Sequence, residues 1–166
     1  MPDRPSYLKV FLIFARNSLV RDMTFRANFI IDTISSIAWM AMNLAFYALV
    51  FQYTPMLGAD SGWGKYEFFL FLATTLVVNS IVQALFMTNA DEFSELIRTG
   101  SLDFALLKPI DTQFLVSLQR IEWSSAGNLV FGLVLIVYAS GKLDQAPGLA
   151  QIGLYLVYVA CGVTIL

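Results

Sequence analysis

Four stretches of this chain carry no charged residue and each comes close to the length needed to cross a bilayer: Thr33 to Ala59, Phe68 to Ala90, Trp123 to Gly141 and Gln145 to Leu166. About 20 largely apolar residues in a helix cross about 30 Å of hydrocarbon. The chain therefore reads as one all-α integral membrane domain over residues 1–166. Transmembrane helices are expected at about 32–53, 67–89, 120–140 and 147–166. With 58% hydrophobic and 13% charged residues, against about 45–50% and 25% in soluble domains, the bilayer is the expected solvent.

Composition removes several function classes. The formal net charge is −2 and the pI about 4.9, so no basic field marks a nucleic-acid partner. Cys161 is the only cysteine and histidine is absent. An intrachain disulfide, a Cys/His zinc site and a His-based triad are excluded within the chain. The run from Val10 to Ala15 is broken by Arg16 with no small-residue cleavage pattern after it, unlike a cleaved signal peptide. The piece from Gly58 to Lys65 is a poor copy of a phosphate-binding loop: its spacing is one residue too long, and Tyr66 stands where Ser or Thr would bind Mg.

Loops set the expected topology. Thr54, Pro55, Gly58, Asp60, Gly62 and Gly64 cluster breakers between the first two spans, with Trp63 and Tyr66 suited to an interfacial belt. The short piece from Ser140 to Pro147 makes spans three and four an antiparallel hairpin. Arg4, Lys9, Arg16, Arg21 and Arg26 precede the first span, and Arg98, Lys108 and Arg120 lie in the middle loop, against Lys65 and Lys142 elsewhere. This asymmetry puts the N-terminus and the middle loop in the cytoplasm. Residues 7–26 are too charged to cross, and Leu8, Leu12, Ala15 and Leu19 form a stripe, as expected of an interfacial elbow helix. The last span runs to Leu166 with no basic anchor and no polar tail, the pattern expected of a chain truncated at its C-terminal side.

The middle loop carries the most information. Asn89 or Asp91 can cap a short helix, Asp91 and Glu92 suit its N-terminal dipole, Arg98 suits its other end, and Gly100 can take the left-handed position that stops it. Ser101 can cap a second turn running to Pro109, and Asp111 with Thr112 can start the next helix, whose foot holds Arg120 and Glu122. The product is an amphipathic element between two spans, with Phe93, Leu96 and Ile97 as an apolar ridge and Glu92, Glu95 and Arg98 around it.

The run from Glu95 to Asp111 resembles the signature loop of ABC-2 type transporter permeases, at Glu95, Gly100, Leu102, Asp103, Leu106, Leu107 and Pro109. With the opening Phe25 to Asp32, it is most similar to bacterial permease components of that family. The resemblance implies a transmembrane subunit in the inner membrane that pairs with a second ABC-2 permease, identical or related, for export. ATP and Mg would be bound by a separate cytoplasmic ABC ATPase and not by this chain. It also implies that Glu92, Glu95, Arg98, Gly100, Leu102, Asp103 and Pro109 belong to a coupling helix docked on that ATPase. The family has six spans per subunit, and this chain supplies four.

Inside the spans, Asn43, Asn79, Gln83 and Asn128 are candidates for a translocation path or for interhelical hydrogen bonds, since an unpaired amide in lipid is costly. Asn79 and Gln83 are four apart and share a face. Ala38, Ala41, Ala45 and Ala48 form a stripe that admits a close helix neighbour within the subunit or across a dimer. An Asp32 to Arg120 contact is conceivable at the interface. Two rival readings remain at the level of sequence: a membrane scaffold or accessory subunit without transport, and a membrane enzyme using Asp91, Glu92 and Glu95.

Overall fold

The computed structural model describes residues 6–24, 26–54, 56, 63–108, 110–143 and 148–165. Arg4, Phe25, Pro55, Gly58, Asp60, Gly62, Pro109, the hairpin residues 144–147 and Leu166 lie outside them. The described residues form helices α1 (Tyr7–Thr24), α2 (Arg26–Tyr53), α3 (Lys65–Val82), α4 (Thr88–Arg98), α5 (Leu102–Leu106), α6 (Thr112–Leu118), α7 (Ala126–Ser140) and α8 (Leu149–Ile165).

Among the described residues three helices are long and apolar enough to cross a membrane: Ala27–Tyr53, Lys65–Arg98 and Trp123–Ser140. The fourth apolar helix, Leu149–Ile165, has 17 residues, at the short limit for a span. Neighbours alternate in direction. Phe51, late in α2, stacks on Phe68, early in α3, at 5.6 Å, and Tyr66 of α3 meets Tyr138 of α7 at 6.5 Å. α8 runs parallel to α3 on its other side, with the hydroxyls of Thr74 and Tyr155 3.1 Å apart.

α3 and α7 form the tightest pair because small residues let them approach. Ala73 and Ala139 are fully buried, with Val77 and Leu135 beside them. A methyl group added at Gly132 would stand 2.9 Å from Val77 Cγ2. α2 buries little of its length, and of the alanine stripe Ala38, Ala41 and Ala45 are exposed, so that stripe does not pack within the chain.

Three expectations need correction. The helix of the second span does not end near residue 89: Lys65–Arg98 is one helix of 34 residues, joined through a π-helical turn at Gln83–Met87. Neither Asn89 nor Asp91 caps α4, since Met87 before it is itself helical. The third span does not start at residue 120, because α6 ends at Leu118 and the chain is non-helical from Gln119 until the 3-10 turn Trp123–Ser125 leads into α7. α1 leaves Leu8 and Leu12 exposed, while Phe14, Ala15 and the buried Ser18 turn toward the rest of the chain. The reason is that Tyr7 and Phe14 pack on Phe114 of α6, at 5.0 and 6.4 Å.

Candidate functional site: a helix joint, a projecting element and an amide-lined cleft

The break between α6 and α7 is held from three directions. Four successive backbone N–H groups find acceptors on other elements. Arg120 donates to Asn89 Oδ1 at 2.9 Å, Ile121 to Ser18 Oγ at 3.1 Å, Glu122 to the Ala84 carbonyl at 3.0 Å and Trp123 to Asp22 Oδ2 at 3.3 Å. The Trp123 indole N–H reaches the Ala15 carbonyl at 3.1 Å. A backbone that leaves a helix must satisfy its polar groups elsewhere, and here α1, the π turn and α4 do so together.

The π turn is the counterpart of that break. Widening a helix frees carbonyls from their usual partners. The Ala84 carbonyl takes the Glu122 N–H, and the Leu85 carbonyl takes Asn89 Nδ2 at 2.7 Å. The same Nδ2 also donates to the Arg120 carbonyl at 2.7 Å. One turn further along α4, Glu92 forms an ion pair with the Arg120 guanidinium. Arg120 is therefore paired with Glu92, and the conceivable contact with Asp32 is not made. Glu122 accepts from Thr88 Oγ1 at 3.0 Å and Ser124 Oγ at 2.8 Å.

Beyond the joint, α4 projects its remaining residues. Glu95 and Arg98 hold each other in a two-pronged pair of 2.8 and 2.6 Å. Gly100 has φ +70°, the left-handed value glycine adopts without cost. The Gly100 N–H reaches the Ile97 carbonyl and the Ser101 N–H the Leu96 carbonyl, at 3.2 and 3.0 Å, closing the helix in a Schellman motif. Leu102 and Asp103 open α5, and Phe104 within it and Leu107 just after it are among the most exposed apolar side chains of the molecule. Asp111 caps α6 by accepting the Phe114 N–H at 3.0 Å, as its sequence predicts.

The four amides singled out from sequence converge. Asn43 of α2, Asn79 of α3, Gln83 of the π turn and Asn128 of α7 line one cleft of about 490 Å³. Sequence reasoning missed the roles of Ser18, Asp22, Thr88 and Trp123 in the joint. Trp123, at the polar edge of an apolar run, was the one signal that could have pointed there. Among the described residues no group of three or more Cys, Asp or Glu is placed to hold a metal ion.

Comparison with known proteins adds one match. No curated protein and no solved structure matches the chain. A model of the ABC-2 family transporter proteins matches residues 37–166, which takes in α3 to α8, most of α2 and every residue of the joint except those of α1. The chain belongs to the ABC-2 family of transporter proteins and is a multi-pass membrane protein.

Proposed function

We propose that this chain is the permease subunit of an ATP-driven transporter of the bacterial inner membrane, exporting its substrate with ATP hydrolysed by a separate cytoplasmic ABC ATPase. A second ABC-2 permease, identical or related, completes the path. Leu149–Ile165 serves as a fourth span and α1 as an interfacial elbow. The N-terminus and the 91–109 segment face the cytoplasm, because the positive charges concentrate there.

The observation that carries this reading is the unbroken helix Lys65–Arg98. Its 34 residues extend about 51 Å, about 20 Å more than the hydrocarbon it crosses. A soluble subunit that grips the projecting end moves a rigid lever. The Arg120 joint then passes that motion to α1 and α7 as well as to α3. By this reading Glu92 and Arg120 transmit. Glu95, Arg98, Leu102 and Asp103 present the docking surface, while Gly100 and Pro109 shape its turns.

The test is co-purification of the full open reading frame with a co-expressed ABC ATPase from the same genome. The wild-type chain recovers the ATPase, and Glu95→Ala with Asp103→Ala loses it while membrane insertion is unchanged. Normal recovery with both residues replaced overturns the docking role. A chain recovered alone while the ATPase is present in the membrane fraction points to an accessory membrane protein.

A further inference from the structure

The cleft between α2, α3 and α7 has a volume of about 490 Å³, within the range of small-molecule sites. No charged residue lines it. Its polar groups are carboxamides and hydroxyls, and its apolar walls include the rings of Trp39, Tyr47 and Phe131.

Several of these polar groups lack a protein partner. Asn128 Oδ1 is buried without a hydrogen bond. The side chains of Asn79 and Gln83 make none to other described residues. Asn43 spends one N–H on the Trp39 carbonyl at 2.8 Å. The buried Asn128 Oδ1 costs free energy until a ligand supplies a donor, while Asn79 and Gln83 are exposed on the cleft wall and free to bond one.

The chemistry of that ligand follows from what the lining offers. A charged group would find no opposite charge here, and an unpaired charge at this depth is expensive. A carboxamide both donates and accepts, which suits a hydroxyl, itself donor and acceptor. The rings offer flat apolar faces to the carbon side of such a ligand. Trp39 lines the cleft and is also 66% exposed, so the cleft has an open side at Trp39.

Resting on the permease reading above, we infer that this cleft binds the uncharged, hydroxyl-bearing head of an amphiphile, with Asn79, Gln83 and Asn128 holding its hydroxyls and Trp39 and Tyr47 its carbon face. The amphiphile enters laterally past Trp39.

The test uses the chain with its ATPase in nanodiscs and three diazirine-labelled probes of equal chain length: an alkyl glucoside, an alkylphosphocholine and an alkyltrimethylammonium. The glucoside should label residues 36–47, 72–83 and 128–135 saturably and in preference to the two charged probes. Replacing Asn79 and Gln83 by Leu should reduce that labelling about tenfold, the effect of losing one or two hydrogen bonds to the ligand. Equal labelling by all three probes, preference for a charged one, or no labelling because another helix of the assembly fills the cleft would each overturn the inference. ATPase co-purification is scored on the same samples. Failed labelling with the ATPase bound refutes the ligand class alone, whereas an absent ATPase refutes the permease reading whatever the probes do.

Discussion

The carboxamide of Asn89 holds both faces of one peptide position: its Oδ1 accepts the Arg120 N–H at 2.9 Å and its Nδ2 donates to the Arg120 carbonyl at 2.7 Å. Asn89 is 3% exposed, so water cannot replace it. Asn89→Ala should destabilise the protein by about 2 kcal/mol, because buried groups are left without partners. Asn89→Asp sets a buried carboxylate oxygen against the Leu85 and Arg120 carbonyls and should cost at least as much as Ala. Thermal unfolding in a single detergent, compared across the three proteins, checks the order.

The ion pair beside it is a separate bond across the same joint. Its Glu92 side chain is 19% exposed and its Arg120 side chain 39%, so it should contribute more than a surface pair and less than a fully desolvated one. A double-mutant cycle with Glu92→Gln and Arg120→Gln should return a coupling of about 1 kcal/mol. A coupling indistinguishable from zero would show that the two charges act independently.

Much of this arrangement could not be read in advance, for physical reasons. Gly100 and Asp111 act through bonds to residues within a few positions of themselves, so the turn and the cap are visible in the local sequence. The amides of the cleft are visible because polar groups stand out in apolar runs. The break at residues 119–122 is different. Gln119 to Glu122 do not disfavour a helix, and acceptors as distant as Ser18, Asp22 and Asn89 decide the matter. The π turn, made of the ordinary helix formers Gln83 to Met87, carries no sequence mark at all. Asn89 reads as a cap from its neighbours and becomes a clamp only when Arg120 arrives.

Gly132 should tolerate no branched side chain. A Cβ there lies 2.9 Å from Val77 Cγ2 and 3.4 Å from the Ala73 carbonyl. Gly132→Val should cost about 1–3 kcal/mol through overpacking, and Val77→Ala in the same chain should recover part of it. The monodisperse fraction on size-exclusion chromatography after a heat step reports both effects.

At Gly100 the cost is purely conformational, since an added Cβ would meet nothing within 4 Å. Gly100→Ala should cost about 1 kcal/mol, confined to the end of α4. Hydrogen exchange at the Gly100 and Ser101 amides should quicken while the Arg120 amide stays protected.

The proposed function requires the far end of the Lys65–Arg98 helix to meet an ATPase. A photoreactive amino acid at Phe104, in α5 just beyond the lever, tests it most directly against the same group at Tyr53, at the opposite end of α2; both side chains are well exposed. An ATPase cross-link is expected from position 104, changing in yield with nucleotide, and none from position 53. A cross-link from position 53 with none from 104, or none from either while the ATPase is present, would contradict the proposed function.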